Sequence, residues 1–202
     1  MNTGKLLLTS TGLSSENVAK VFQSFFPNPE TKAVAIVTTA AEDKDQNKYS
    51  QLAKKQFEEM GFARVDFVDL ETEPAKSFSS YAVIYVCGGN TFKLLKFART
   101  ANFQLSIDDL LMRNGVYVGV SAGSIIVGPS IDIANEVEPD ANIIGLKDFT
   151  GFNIINLIIH PHYSIEVDEE IKNFEKKYGV AVERLNDLQA ILIENGEKTI
   201  IG

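Results

Sequence analysis

Apolar positions along the chain fall into short runs separated by longer stretches of mixed polarity. Residues 5–10, 33–38, 63–70 and 81–86 have strand length, the third alternating and the others nearly continuous. Between and after them, 16–26, 44–60, 91–100 and 106–114 read as helices. Ser15 is placed to cap the first, and Pro27-Asn28-Pro29 stops it. In 44–60, Tyr49, Leu52, Ala53, Phe57 and Met60 recur near helical spacing, and Gly61 ends the pattern. Val116 to Val120 is β-branched and apolar, as a strand buried on both faces would be, and a helix follows it at once. Residues 129–150 are polar and irregular. A strand is expected over 153–159, a helix over 168–178, and a short strand over 180–183. Residues 190–201 read as a hairpin turning at Asn195-Gly196.

Strands alternate with helices through two thirds of the chain. That pattern predicts an α/β fold, a mostly parallel sheet flanked by helices on both faces, with a C-terminal β-hairpin. The 202 residues suit a single domain spanning 1–202. In such sheets chemistry gathers at the carboxyl ends of strands. Three expected ends carry conspicuous residues: Cys87-Gly88-Gly89-Asn90, Ser121, and His160-Pro161-His162. If all three belong to one sheet, they can meet in space.

The middle one has the strongest local signature. Gly119-Val120-Ser121-Ala122-Gly123 fits G-x-S-x-G, in which a sharp strand-to-helix turn lifts a serine clear of the sheet. Small neighbours leave it room, and the helix N-terminus offers free N–H groups to a developing oxyanion. A serine needs a base, and His160 and His162 are the only histidines. Position alone does not choose between them. The orienting acid is one of many: Asp132, Glu136, Glu138, Asp140 and Asp148 before the second histidine, or Glu166, Asp168, Glu169, Glu170 and Asp187 after it. Asp187 stands out because it lies in a turn before the terminal hairpin. Gly88 and Gly89 follow a strand and open a helix, so their backbone can approach a ligand closely, with Asn90 or Thr91 as the helix cap.

Composition narrows the partners. A net charge of −8 and only four arginines, without a basic stripe, argue against nucleic acid and anionic membrane surfaces. The single cysteine, Cys87, excludes an internal disulfide framework and reads as a buried thiol. No metal-ligand spacing or P-loop is present, so no metal or cofactor is expected. The N-terminus lacks the pattern of a signal peptide and no run spans a bilayer, so a cytoplasmic protein, monomer or homodimer, is expected.

Three segments in register resemble the peptidase E family: residues 87–95, 115–123 and 160–163. These are cytoplasmic aspartyl dipeptidases of the serine class, related to cyanophycinase. Their fold is similar to that of class I glutamine amidotransferases, which is flavodoxin-like. The resemblance implies Ser121 as nucleophile, His162 as base, and the N–H groups of Gly89 and Ala122 as the oxyanion hole. Gly88 and Asn90 then belong with the substrate-binding residues. The family's acid is a glutamate in the turn before a late strand. Asp187 matches it with a shorter side chain, and Glu136 is the alternative.

The family reads its acidic substrate with an arginine after the histidine segment. Residues 164–177 contain none, and Arg184 is the candidate substitute. The expectation is therefore a serine peptidase for short peptides without strict aspartyl specificity. An esterase or amidase of α/β-hydrolase type, or a non-catalytic peptide-binding relative, are the alternatives.

Overall fold

The computed structural model describes residues 4–202. In chain order the strands are β1 (Lys5–Thr9), β2 (Ala33–Val37), β3 (Arg64–Val68), β4 (Val83–Val86), β5 (Val116–Val120), β6 (Ile158–His160), β7 (Val182–Arg184), β8 (Ala190–Glu194) and β9 (Glu197–Ile201). The helices are α1 (Glu16–Ser24), α2 (Lys48–Glu59), α3 (Thr91–Thr100), α4 (Phe103–Met112), α5 (Ala122–Ile125), α6 (Ile133–Glu136) and α7 (Asp168–Tyr178).

Seven strands form one sheet in the order β3-β2-β4-β5-β1-β8-β9. The first five are parallel, and the terminal hairpin adds β8 antiparallel to β1. Side chains alternate between two cores because successive residues of a strand face opposite ways. Leu7, Val34, Ile36, Val83, Tyr85 and Val118 pack on α1 and α2 through Val18, Phe22, Ala53 and Phe57. Leu6, Leu8, Ala35, Val37, Ile84, Val86 and Tyr117 pack on α3 and α4 through Leu94, Leu95, Ile107 and Leu110. Helices thus cover both faces, as the apolar runs required. The hairpin turns at Asn195 and Gly196, both at positive φ (54° and 81°), which a tight two-residue turn matching strand twist needs.

Two expectations are corrected. The helix expected from residue 44 begins at Lys48. Lys44 sits at φ 50° and a 3₁₀ turn covers Lys44–Gln46, after which the Asn47 side chain accepts the Tyr49 N–H as a cap. More consequential is the histidine segment. It does not end a strand of the main sheet. β6 covers only Ile158–His160 and pairs with β7 in a separate two-stranded ribbon. The residues before it bond elsewhere: the N–H groups of Phe152, Asn153 and Ile154 donate to the carbonyls of Ile126, Gly128 and Val127, just after α5. An apolar run can meet its backbone hydrogen bonds in an irregular loop, and polarity alone does not reveal that.

Candidate active site

β4 and β5 are adjacent and parallel, with Val86 opposite Gly119, so their carboxyl tips lie side by side. Gly88 meets the nucleophile's position closely: a Cβ added there would lie 3.0 Å from Ser121 Cβ. Gly89 has φ 135°, and a Cβ there would strike the Ala40 carbonyl at 2.2 Å. Only glycine fits. Ser121 itself has φ 49° and ψ −109°, a backbone conformation rare for a residue with a side chain. Three things hold it there. Its N–H donates to the Thr9 carbonyl at 2.9 Å. The buried Ser124 hydroxyl accepts the Thr9 N–H (3.0 Å) and bonds the Thr9 and Gly119 carbonyls (2.9 Å each). Tyr117, wholly buried, donates its hydroxyl to the Gly123 carbonyl at 2.7 Å. Ser124 and Tyr117 escaped the sequence reading, because a serine and a tyrosine in an apolar run look like ordinary core positions until their partners are known.

The N–H groups of Gly89 and Ala122 make no backbone hydrogen bond among the described residues, while neighbouring Cys87, Asn90 and Ser121 donate to Val37, Ala40 and Thr9. Both are therefore free to receive an oxyanion.

The ribbon brings in the imidazole. His162 follows β6, and its Nδ1 lies 2.7 Å from Asp187 Oδ1. Ser10, the residue after β1, connects ribbon and sheet: its hydroxyl donates to the Leu185 carbonyl (2.8 Å) and accepts the His162 N–H (3.0 Å). Thr11 donates to the Asp187 carbonyl at 2.7 Å. No hydrogen bond joins Ser121 Oγ to the imidazole among the described residues. Such contacts are often loose without substrate and tighten when it binds.

Ser121, His162 and Gly89 line two cavities. The larger, about 750 Å³, reaches past Asp187 to Tyr49, Leu52, Tyr85 and Leu188. Gly88 lines it as well. The smaller, about 130 Å³, is floored by Ile125, Ile133 and Val137 and edged by Glu138, Asp140 and His160. No lysine or arginine lines either one. Cys87 borders the larger cavity, but burial pushes its thiol up to about 11, so it is not a nucleophile at neutral pH.

The remaining predicted residues lie elsewhere. The Asn90 side-chain oxygen Oδ1 accepts the Lys93 N–H as the cap of α3, and its Nδ2 donates to the Ala141 carbonyl, so its side chain is occupied in structure. Glu136 accepts hydrogen bonds from Lys177 (2.7 Å) and Tyr178. Burial pushes its carboxyl up, but these bonds outweigh that and hold it below its ordinary value. Among the described residues it hydrogen-bonds to neither histidine. Arg184 binds Asp168 through Nε (2.7 Å) and grips both oxygens of Glu175 (2.9 and 3.1 Å). That guanidinium is tied between β7 and α7 and does not line the cavities.

The sequence profile of Peptidase family S51 matches residues 6–201. The chain belongs to that family. It is a hydrolase of the serine peptidase class. It is 31% identical over 207 residues to the uncharacterized peptidase PM1590 of Pasteurella multocida, covering 98% of this chain and 97% of the relative. It is 28% identical to the uncharacterized peptidase Lmo0363 of Listeria monocytogenes, covering 82% and 81%. The Peptidase E of Escherichia coli is 31% identical over 130 residues, which cover 64% of this chain and 52% of the relative. In fold, a solved structure of the Peptidase E type from L. monocytogenes EGD-e superposes with a TM-score of 0.81 over 98% of each chain, at 23% identity. The S51 match displaces the α/β-hydrolase alternative. Among the described residues, no helix is long and apolar enough to cross a membrane.

Proposed function

We propose that this S51 member hydrolyses short peptides with Ser121 as nucleophile, His162 as general base and Asp187 as the acid that orients the imidazole. The observation that carries this reading is the His162–Asp187 pair, held 2.7 Å apart beside the cavities that Ser121 lines. Ser121 Oγ attacks the scissile carbonyl as His162 takes its proton. The tetrahedral oxyanion is received by the N–H groups of Gly89 and Ala122. Collapse breaks the C–N bond, and His162 returns the proton to the departing amine. Water, deprotonated by the same imidazole, then hydrolyses the acyl-enzyme.

The same cavities argue against an acidic first residue. Selecting a carboxylate calls for a fixed cation, best an arginine fork. The lining offers Glu42, Glu138, Asp140 and Asp187 and no cation, so an ionised aspartate would lose hydration for no return. We therefore assign the site to peptides with a neutral or basic first residue. The test is a fluorophosphonate probe with mass-spectrometric mapping, alongside a dipeptide library. Labelling confined to Ser121, together with release of amino acids from the library, is expected. An unlabelled Ser121 in folded protein would refute the mechanism.

A further inference from the structure

The two cavities that meet at Ser121 differ greatly in size. The smaller measures about 130 Å³ and the larger about 750 Å³. The larger falls within the roughly 300–1,000 Å³ that holds a drug-sized ligand, so a single amino acid would leave much of it to water. Only the larger is lined by both His162 and Asp187. In the proposed mechanism His162 hands its proton to the departing amine, so the leaving portion lies on the side of that pair.

The surface of this cavity suits an apolar stretch of peptide. Three of its lining side chains are large, apolar and open to solvent: Tyr49 (67% exposed), Leu52 (46%) and Leu188 (69%). Tyr49 and Leu52 stand three residues apart on α2 and so share a face, and Leu188 follows Asp187. Scattered exposed apolar residues are ordinary, but several gathered around one cavity mark a binding surface. Deeper in, Tyr85 is 5% exposed, and its hydroxyl has no hydrogen-bond partner among the described residues. It can serve a peptide N–H or carbonyl.

Charge argues for length. The acids that line the cavity are Glu42 and Asp187, and no lysine or arginine joins them. The leaving residue of a dipeptide carries its free carboxylate next to the scissile bond. Here that charge would be desolvated beside two like charges. A longer leaving portion carries the carboxylate out of the cavity. Lys48 stands outside the lining with Nζ 4.8 Å from the centroid of the Tyr49 ring. Among the described residues it pairs with no carboxylate, so it is free to receive one there.

We propose that the larger cavity takes a leaving portion of two or more residues. Its apolar side chains lie against Tyr49, Leu52 and Leu188, and its C-terminal carboxylate emerges beside Lys48. Tripeptides and longer peptides with apolar residues after the first are then better substrates than dipeptides. This rests on the peptidase reading, which places the scissile carbonyl at Ser121.

The test is calorimetric titration of the full chain bearing Ser121→Ala, which binds without turnover. The ligands are Ala-Leu, Ala-Leu-Phe and the C-terminal amide of each. Burial of the added side chain should make Ala-Leu-Phe bind about tenfold tighter than Ala-Leu. Amidation should tighten Ala-Leu by about threefold or more, because it removes a charge held near two carboxylates, and should not tighten Ala-Leu-Phe. Tyr49→Ser together with Leu188→Ser, both at exposed positions, should cut the Ala-Leu-Phe preference by about threefold or more. Equal affinities for the two acids, or a preference that the paired substitutions leave intact, would overturn the proposal. In the unaltered chain, mass spectrometry of Ala-Leu-Phe digests should show alanine and Leu-Phe as first products. Initial release of phenylalanine and Ala-Leu would place the longer portion before the scissile bond and equally overturn it. Fluorophosphonate labelling of Ser121 tests the peptidase reading separately, and the binding preferences stand or fall without turnover, so the two can fail apart.

Discussion

His162 Nδ1 and Asp187 Oδ1 stand 2.7 Å apart, on two loops whose backbones are held by Ser10 and Thr11. Both side chains are about half exposed, so the pair contributes little to stability, at most about 1 kcal/mol. In the proposed mechanism its value lies in fixing which ring nitrogen is presented to Ser121. Asp187→Asn is accordingly expected to lower kcat by roughly two to four orders of magnitude while the melting temperature hardly moves. Steady-state kinetics and a thermal melt on the same preparation decide it. A variant with near-normal kcat would remove Asp187 from the mechanism.

Ser121 carries backbone strain, and glycine would relieve it. The observed φ 49° and ψ −109° lie in a region open to glycine and costly, by about 1–3 kcal/mol, to other residues. Part of that gain returns as glycine's larger unfolded-state entropy, about 0.5–1 kcal/mol. Ser121→Gly should thus be inactive yet more stable by about 1 kcal/mol, seen as a rise of a few degrees in Tm. A fall in Tm would show that the elbow is not strained as the angles suggest.

Arg184 is expected to matter for stability and not for substrate choice. Arg184→Ala removes a fork on Glu175 and a bond to Asp168, and should lower stability by about 1–2 kcal/mol. The ratio of kcat/KM for Ala-Leu to Asp-Leu should stay above tenfold in both proteins. An Asp-Leu preference that disappears with the arginine would contradict the assignment.

The same cluster predicts an acid transition. Hydrogen bonds from Lys172 and then Arg184 hold the Asp168 carboxyl down to about 2, against an ordinary value of 3.8. A carboxyl depressed in the folded state adds stability above its unfolded value and loses it as pH falls through the folded one. The Tm difference between the wild type and Asp168→Asn should therefore be constant at neutral pH, narrow below about pH 4, and close near pH 2. A gap that persists unchanged through that range would exclude the linkage.

Local rules made much of this molecule readable. Alternating strands and helices gave the layered sheet, and the small residues Gly119, Ala122 and Gly123 around Ser121 gave the turn. Asp187 stood out among ten acids because it falls in a turn, and it is the one found beside the His162 ring. What local rules misplaced or left open has one physical cause: it concerns groups whose partners are remote in sequence. Residues 152–155 are apolar enough for a strand, yet their N–H groups bond to residues 126–128. Arg184 looks like a free cation until α7 supplies Glu175 and Asp168. His160 and His162 differ by two positions, but one is buried against Glu138 and the other is bound to Asp187.

Ser10 and Thr9 give the site a common anchor. The Ser10 hydroxyl holds the His162 N–H and the Leu185 carbonyl, and the Thr9 carbonyl holds the Ser121 N–H, so the serine, the imidazole and the turn bearing Asp187 all hang on the tip of β1. A substitution that displaces that tip is felt by all three at once.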